Sequence, residues 1–348
     1  MLYPKTTALI HELVTKQVVP GVSYAYLHQG QLQTGVFGLA QLKPTKEKLR
    51  PGMYYDLASL TKVIGTTTVI LKLIASGRLG VDDAVTKYLP AFKDQRVTIR
   101  HLLTHTSAIS GYIKNRDELS PAALLAALHQ LKVGSDLGKK VVYTDIGLIF
   151  LGEIIESFYQ QPVQRVIEKE VLARLGLSQS TFNPPLSLAV PTELTAKRGL
   201  IRGQVHDPKA YTLKEHCGSA GLFMTLHDMV KFSQWLLQPD SMPGPLDSKM
   251  VSALFKDWTP SGHDGRSLGW DLRYTWQNQA CLYHTGYTGT MLLIDQANQD
   301  ALILLTNRVH PAGNNQAFLA QRELLLGQYL REKYFYEKDG SKWQHHYF

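Results

Sequence analysis

A serine and a lysine lie three positions apart in the sequence Ser59-Leu60-Thr61-Lys62. At the start of a helix this spacing brings both side chains onto one face within a single turn. A serine hydroxyl needs a base or a positive field to lose its proton, and a desolvated lysine of lowered pKa together with the helix N-terminus supplies them. The spacing therefore predicts a nucleophile and its proton partner. The alternative is an ordinary helix-start serine beside a solvent-facing lysine, because about one such pattern is expected by chance in a chain this long.

A second candidate element is Tyr143-Thr144-Asp145, just before a predicted helix. A tyrosine held near two cationic groups can relay a proton, and a polar residue two positions later points to the same side of an extended segment. The alternative is that Asp145 caps the helix and Tyr143 is an amphipathic rim residue.

The third element, His284-Thr285-Gly286, lies in a predicted strand where alternation puts His284 and Gly286 on one face. Gly286 allows a ligand to approach the backbone, Thr285 can hydrogen-bond an anion, and the amide of Tyr287 can donate to an oxyanion. The alternative is a glycine at a bulge beside a half-buried histidine.

Helical periodicity and β-type runs predict the elements that must position these residues. Ile10, Leu13 and Val14 recur at helical spacing, and Thr98 and Asp145 are suited to helix N-caps. Further helices are predicted at 60–76, 98–104, 121–131, 146–159, 162–174, 226–237 and 313–335. A hairpin is predicted at 21–40, and β-type runs at 267–276, 280–295 and 300–309. The segment 176–220 is irregular and too long for an ordinary connection, so we expect it to carry function or to cross between lobes.

Strands at both chain ends flank a helical middle, without an internal repeat or β-α alternation. This order predicts an α+β fold: an antiparallel β-sheet flanked by N- and C-terminal helices, with an inserted helical lobe. We expect residues 1–55 plus 215–348 to form the sheet domain and residues 56–214 the mainly helical lobe, with the active site at their interface.

Composition excludes several classes of protein. The chain has 348 residues, of which 44% are hydrophobic and 19% charged, so a folded globular protein is expected and disorder or coiled coil is not. The net charge of +8 comes from scattered residues without a basic run, so nucleic acid is not an expected partner. Cys217 and Cys281 are expected to be reduced thiols. Neither a membrane span nor a signal peptide is apparent, which predicts a cytoplasmic location, or an extracellular one if a leader has been removed.

Histidines at three places do not form a metal-ligand pattern. His101 and His105 have the spacing of zinc proteases, but Leu102 occupies the position of the essential glutamate. The pairs His206-Asp207 and His345-His346 lack further ligands at suitable spacing. We therefore expect no metal and no cofactor. Arg308, at the end of an apolar strand, is expected to form a structural salt bridge, with a carboxylate anchor in the cleft as the alternative.

The three elements follow one another in the order S-x-x-K, Y-x-[ND] and [KH]-T-G, and the set as a whole is far more specific than its parts. With this order the sequence resembles the class C β-lactamase and penicillin-binding-protein-like serine hydrolase superfamily, in its esterase and DD-peptidase branch. The resemblance extends over about 22–311 and includes YYDLASLTK, VTIRHLLTHTS, YTDIGLIFLGEIIE, LGLSQSTF, SAGLFMTLHDMVKF and HTGYTGT.

The resemblance implies a β-lactamase/transpeptidase-like fold and gives each matching residue a role. These are Ser59 as acylated nucleophile, Lys62 as its proton partner, Tyr143 as general base or relay, the amides of Ser59 and Tyr287 as oxyanion hole, and His284, Thr285, Gly286 and Asp145 as substrate-binding residues. We expect Lys62 to be neutral or strongly coupled to its neighbours in the free enzyme.

Three positions depart from the family pattern. Asp145 replaces the commoner asparagine, His284 replaces the lysine of typical lactamases, and Ser219 replaces a histidine found in related sequences. Because His284 lowers the fixed positive charge facing the substrate, we expect ester cleavage to exceed lactam turnover, and protonation of His284 near pH 6 to recover part of that charge.

Together these features predict a serine hydrolase that cleaves an ester or amide, including peptide substrates, through an acyl-enzyme on Ser59. Two alternatives stay open. One is a DD-carboxypeptidase, penicillin-binding protein or weak β-lactamase. The other is a penicillin-binding sensor that is acylated without turnover. The sequence does not determine the oligomeric state.

Overall fold

The structure, a computed structural model, describes residues 1–313 and 315–343. Its α-helices are α1 (Pro4–Thr15), α2 (Thr67–Ala75), α3 (Ile99–Leu103), α4 (Pro121–His129), α5 (Ile146–Tyr159), α6 (Val163–Ile167), α7 (Pro208–Leu213), α8 (Leu226–Leu237), α9 (Ser248–Ser252) and α10 (Gln316–Trp343). Two π-helical segments, Lys62–Thr66 and Glu168–Leu172, adjoin α2 and α6. Short 3₁₀ turns lie at Val85–Lys87, Arg116–Glu118, Leu186–Leu188, Lys214–His216 and Ala253–Phe255.

The strands are β1 (Gly21–His28), β2 (Gln31–Gln41), β3 (Glu47–Lys48), β4 (Tyr55–Asp56), β5 (Ile109–Ser110), β6 (Lys132–Val133), β7 (Ser180–Thr181), β8 (Leu194–Thr195), β9 (Gly199–Leu200), β10 (Phe223–Met224), β11 (Asp271–Tyr274), β12 (Ala280–Thr285), β13 (Met291–Asp295) and β14 (Asp300–Thr306). A seven-stranded antiparallel sheet has the order β11-β12-β13-β14-β1-β2-β3. Strands from both ends of the chain therefore lie side by side, as the α+β prediction requires.

A separate apolar core lies on each face of the large sheet. One core lies between the sheet and the terminal helices α1 and α10. It includes Tyr26 and Tyr283 of the sheet and Phe318 of α10. Glu332 of α10 accepts hydrogen bonds from the backbone amides of Lys5 and Thr6, so the two terminal helices are joined at the unpaired N–H groups that begin α1. Helix α8 and the helical middle of the chain cover the other face. The catalytic candidates lie at the end of the sheet where this helical part begins.

Several predicted elements are confirmed and others need correction. Helices 146–159 and 226–237 are found at their predicted bounds, and the Thr98 side chain accepts a hydrogen bond from the amide of His101 as a helix cap. The predicted helix 60–76 begins as a π-helical turn over Lys62–Thr66, in which Lys62 is buried. The β-type run 280–295 is two strands, and Gly286 lies in the turn between them rather than inside a strand.

Within the part of the chain that the structure describes, no helix is both long and apolar enough to cross a membrane.

Candidate active site

The turn that carries Ser59 follows directly after strand β4. The carboxylate of Asp56 accepts hydrogen bonds from the backbone amides of Ala58 at 2.8 Å and His206 at 2.7 Å. Ala58 has a φ of 45°, in the left-handed region that costs an alanine about 1–2 kcal/mol. Such strain at a non-glycine residue is typical of functional turns. The Asp56 bonds hold this conformation and direct Ser59 toward a cleft.

Lys62 is buried and makes three polar contacts with its ammonium group. Its Nζ lies 2.8 Å from Ser59 Oγ, 2.9 Å from the Ser219 carbonyl oxygen and 2.7 Å from Asp145 Oδ1. An ammonium has three N–H donors, whereas a neutral amine has only two and a lone pair. The three acceptors around Nζ therefore fit the protonated form.

The electrostatic surroundings of Lys62 agree with this count of hydrogen bonds. Burial alone would lower the pKa of Lys62, but Tyr143 and Asp145 together raise this pKa above its ordinary value. These surroundings favour a protonated Lys62 over a neutral one, and the expected coupling to neighbouring groups is present. Lys62 donates to Ser59 and has no lone pair with which to accept the Ser59 proton.

Asp145 lies between two lysines. Its Oδ1 is 2.7 Å from Lys62 Nζ, and its Oδ2 is 2.8 Å from the Nζ of Lys209, at the start of α7. Burial would raise the pKa of Asp145, but the two ammonium groups lower this pKa well below its usual range. Asp145 occupies the predicted N-cap position of α5, but its side chain makes no capping hydrogen bond to the helix. Ion pairing with the lysines outweighs capping here.

Tyr143 lies at the entrance of the cleft, with 44% of its surface exposed. The Nζ of Lys62 is 5.4 Å from its ring centroid, and the guanidinium carbon of Arg266 is 5.6 Å away. The ring of His105 packs against it at a centroid distance of 4.6 Å. The expected position near two cations is therefore found, with Arg266 as the second cation.

Strand β12 is fixed to the nucleophile turn by the loop that follows it. Thr288 Oγ1 donates to the Asp56 carbonyl oxygen at 2.7 Å, and Thr290 Oγ1 donates to the Leu57 carbonyl oxygen at 3.1 Å. A Cβ at Gly286 would lie 2.2 Å from Thr290 Oγ1 and 2.4 Å from the Leu57 oxygen. The glycine is thus required by the approach of the nucleophile turn itself, not by a ligand as the sequence indicated.

His284 lies on β12 with 4% of its surface exposed. Its Nδ1 is 3.1 Å from the Thr285 carbonyl oxygen, which only a protonated Nδ1 can satisfy. Burial and the charges of Arg266 and Lys62 lower the pKa of His284 well below its ordinary value. These surroundings favour a neutral imidazole in the folded chain, which argues against the expectation that His284 gains a proton near pH 6.

A cleft of about 490 Å³ joins these residues. It is lined by Ser59, Tyr143, Arg266, Asp271, Arg273, Tyr283, His284, Thr285, Gly286, Tyr287, Arg308, Gly313, Asn315, Gln316, Leu319 and Arg322. Ser59 and Tyr287, whose amides were predicted to form an oxyanion hole, lie on the same cleft. Lys62 and Asp145 lie behind it. Arg266 supplies a fixed positive charge to the cleft. It takes the place of the lysine charge that is lost because His284 replaces the family lysine.

Arg308 lines the cleft and is held there by two backbone groups. Its Nε donates to the Tyr287 carbonyl oxygen at 2.6 Å, and its Nη1 donates to the Asn315 carbonyl oxygen at 3.0 Å. Both partners are backbone groups, so the expected structural salt bridge is wrong. Arg308 instead holds the Tyr287 loop in place, which positions the amides that face the cleft.

The remaining candidates have structural partners. His206 lies 2.9 Å from Glu193 and stacks on Tyr287, and Asp207 caps α7 through the amide of Ala210. His101 belongs to the cap of α3, whereas His105 lies beyond the end of that helix. In residues 1–313 and 315–343, no group of three or more His, Cys, Asp and Glu side chains could hold a metal ion. His345 and His346 lie outside the described residues.

Sequence reasoning missed three residues of the site: His105, Lys209 and Arg266. His105 belongs to VTIRHLLTHTS, a stretch that already matched the family, so its presence there was a usable signal. Lys209 and Arg266 lie in segments without regular periodicity, where one basic residue among many gives no signal of its position.

Comparison with known proteins gives the family. A family model described as Beta-lactamase matches residues 6–326. The chain belongs to the Beta-lactamase family.

Other members are similar over most of this Beta-lactamase family chain. A putative D-alanyl-D-alanine carboxypeptidase of Escherichia coli K12 is 29% identical over 313 residues, covering 76% of this chain and 71% of that protein. The β-lactamase/D-alanine carboxypeptidase of Pseudomonas syringae superposes with a TM-score of 0.75 at 17% identity, covering 94% and 97% of the two chains. EstCE1, a hydrolase with promiscuous acyltransferase activity, superposes with a TM-score of 0.73 at 18% identity, again over 94% and 97%. These structures confirm the predicted β-lactamase/transpeptidase-like fold, and the family indicates a serine hydrolase of the β-lactamase and DD-peptidase type.

Proposed function

We propose that this chain hydrolyses amides or esters through an acyl-enzyme on Ser59, and that its leaving group carries a carboxylate, as in a DD-carboxypeptidase reaction. The observation that carries the proposal is the 2.8 Å contact between Lys62 Nζ and Ser59 Oγ at the edge of a cleft that also contains Tyr143 and Arg266.

Acylation begins when Ser59 Oγ attacks the carbonyl carbon of the substrate. Tyr143 is the general base that accepts the Ser59 proton, and the cations Lys62 and Arg266 lie beside its ring, where they stabilise negative charge that develops in the reaction. The amides of Ser59 and Tyr287 donate to the oxyanion that forms. The bond between the carbonyl carbon and the leaving nitrogen or oxygen then breaks, and the proton passes from Tyr143 to that atom.

Deacylation repeats these steps with water. Tyr143 accepts a proton from water, the hydroxide attacks the ester carbonyl, and the bond to Ser59 Oγ breaks. The proton returns to Ser59, and the product leaves as a carboxylic acid that ionises in water. Turnover by this route is what distinguishes the hydrolase from a sensor that stays acylated.

Arg266 supports a substrate with a carboxylate next to the bond that breaks. Its guanidinium lines the cleft beside His284 and Thr285, and charge-assisted hydrogen bonds to a carboxylate are the strong ones. The E. coli relative is named for a substrate of this kind. A neutral-ester hydrolase is the second candidate, which the uncharged His284 favours.

Intact-mass spectrometry after a fluorophosphonate or β-lactam probe tests the nucleophile. We expect one label on the wild type and on Ser110→Ala, a control at an exposed serine, and none on Ser59→Ala. Labelling that persists in the folded Ser59→Ala variant would contradict the proposal.

Substrate class is tested with an N-acyl-D-Ala-D-Ala peptide, its C-terminal amide, a nitrophenyl ester and a chromogenic cephalosporin in parallel. We expect the free carboxylate to raise kcat/KM about tenfold or more over the C-terminal amide. Equal rates for acid and amide, with rapid ester cleavage, would favour the neutral-ester hydrolase. A stoichiometric burst without turnover would support the sensor.

A further inference from the structure

The cleft continues past His284 around the edge of the large sheet. Successive residues of β12 point to opposite faces: His284 lies near Tyr143 and Trp270, whereas Tyr283 belongs to the core under the terminal helices. Both residues line the cleft, together with Leu319 and Arg322 of α10. The cleft therefore has a near end at Ser59 and a distal end on the opposite face of the sheet.

Arg273 and Arg322 lie near Tyr283 at the distal end, and Arg308 lines the same cleft; we refer to Arg273, Arg308 and Arg322 as the distal arginine cluster. The guanidinium carbon of Arg273 lies 4.8 Å from the Tyr283 ring centroid. The charges of Arg322 and Arg273 both act on Tyr283, and the charge of Arg322 acts on Arg308. The cluster thus brings like charges together on the wall of a cleft.

The carboxylates near these arginines do not balance their charge. Four arginines line the whole cleft when Arg266 is included, and Asp271 is the acidic residue among the lining residues. Asp271 lies 3.4 Å from Arg273, and Glu323 lies 3.1 Å from Arg322. Among the described residues, Arg266 and Arg308 have no carboxylate within ion-pair distance. The cleft therefore retains an excess of two positive charges for a ligand.

Unpaired polar atoms occur at both ends. Tyr283 Oη and Arg273 Nε at the distal end, and Arg266 Nη1 and His284 Nε2 at the near end, are buried without a hydrogen-bond partner within the described ranges. Burial raises the pKa of Tyr283 to about 12, so its phenol remains a donor at neutral pH. Buried polar groups without partners are rare in folded proteins, and a site for an acceptor ligand accounts for the three donors among them, on Tyr283, Arg273 and Arg266, along one cleft.

The excess of two positive charges along one cleft suits a small dianion. Arg266 pairs with Asp271 across an isolated bridge, and Arg273 lies two residues beyond Asp271 on β11, about 7 Å from Asp271 at the rise of a strand. An amino acid with an acidic side chain has its two carboxylates separated by one or two methylene groups. It can present one carboxylate to each end.

We propose that the leaving group is an acidic amino acid, with its α-carboxylate at Arg266 and its side-chain carboxylate between Arg273, Arg322 and the Tyr283 hydroxyl. This inference rests on the proposed acyl-enzyme reaction and defines its leaving group. In that reaction the bond from the acyl carbonyl carbon to the amino nitrogen breaks, and the acidic amino acid leaves with the proton from Tyr143.

The test compares N-acyl-D-Ala-D-Glu with N-acyl-D-Ala-D-Gln, which differ only in the charge and hydrogen bonding of the side-chain terminus. With the full chain we expect kcat/KM for the glutamate peptide to exceed that for the glutamine peptide at least tenfold. In the double variant Arg273→Gln/Arg322→Gln the ratio should fall below about threefold, and in Tyr283→Phe it should fall by an intermediate factor. Arg96→Gln, which removes an exposed arginine far along the sequence from the cleft, should keep the wild-type ratio.

The outcomes separate this inference from the reaction on which it rests. If Ser59 is labelled and both peptides are cleaved at equal rates by the wild type, the distal site is overturned while the proposed reaction stands. A wild-type preference that survives in the double variant also overturns the assignment to these residues. If neither peptide is cleaved and Ser59 is not labelled, the proposed reaction fails, and the leaving-group site fails with it.

Discussion

The two walls of the cleft satisfy their charges in different ways. Behind Ser59, the Lys62 ammonium has three acceptors, and the Asp145 carboxylate lies between Lys62 and Lys209. On the opposite wall, Arg266 and His284 each have a buried nitrogen atom with no hydrogen-bond partner among the residues that the structure describes. Buried groups that are fully paired hold one geometry, whereas unpaired donors retain a free energy of interaction that only a ligand can use. The first wall is therefore organised for the reaction, and the second for recognition.

Removal of Lys62 should have the largest effect on the paired wall. Lys62→Met keeps the length of the side chain but removes the donor to Ser59 and the cation near Tyr143, and we expect kcat/KM to fall about 10³- to 10⁴-fold. Steady-state kinetics with a nitrophenyl ester measure this effect. The matched control is Lys72→Met in the following helix, where the lysine pairs with Glu170 away from the cleft. A Lys62→Met enzyme with more than a tenth of the wild-type activity would show that the pairing is only structural.

Arg266→Gln tests whether the wall with unpaired groups binds the substrate carboxylate. Loss of one charge-assisted bidentate contact is worth about 2–3 kcal/mol, so kcat/KM for an N-acyl-D-Ala-D-Ala peptide should fall about 30- to 100-fold. The rate with a neutral nitrophenyl ester should fall much less, because that substrate has no carboxylate to lose. Parallel kinetics give the ratio of the two losses, and equal losses would mean that Arg266 acts on Tyr143 rather than on the substrate.

A smaller effect is expected from Lys209, which we regard as a positioning residue. Lys209→Gln leaves Asp145 with Lys62 as its remaining lysine partner, so less positive charge offsets this carboxylate near Tyr143. We expect kcat to fall about five- to tenfold, and the acidic limb of the pH profile of kcat/KM to move to higher pH. Lys209→Arg should restore most of the profile. A lower melting temperature with an unchanged pH profile would instead indicate a structural role.

The smallest predicted effect concerns the pH dependence of substrate preference. Because the folded-state pKa of His284 lies well below 6.5, the ratio of acylation rates for an anionic lactam and a neutral ester should change less than about twofold between pH 7.5 and 6. The unfolded chain takes up this proton near pH 6.5 while the folded chain does not, so this histidine also lowers the free energy of unfolding as the pH falls below about 6.5. Stopped-flow acylation at both pH values checks the ratio. A clear rise for the lactam alone would show that His284 gains charge.

The sequence predicted the parts of the site that depend on local geometry and on the order of motifs. Ser59 and Lys62 meet because they are three residues apart at a helix start, and Tyr143 and His284 follow in the family order. The partners that set the charge states were not predictable in this way. Asp145 has the local pattern of a helix cap, and only tertiary packing brings Lys62 and Lys209 within ion-pair distance of it. Arg266 lies in an irregular segment whose path is decided by contacts across the cleft.

The fold shows the same division. Periodicity gave the bounds of α5 and α8, because each has one continuous apolar face. It did not give the π-helical turn at Lys62 or the break of the β-type run at Gly286, where Lys62 and the loop after Gly286 make hydrogen bonds to residues more than 150 positions away.

The hydrogen bonds from Thr288 and Thr290 to the carbonyl groups of Asp56 and Leu57 join residues 232 and 233 positions apart. Closing a loop of this length has an entropic cost that must be met before the contact contributes stability, and contacts of large sequence separation generally slow folding. A chain that is still being synthesised contains the Ser59 turn long before it contains the loop that orients it. The Ser59 turn therefore reaches its active geometry only after the last strands have been synthesised and packed. A partly synthesised chain does not expose a working nucleophile.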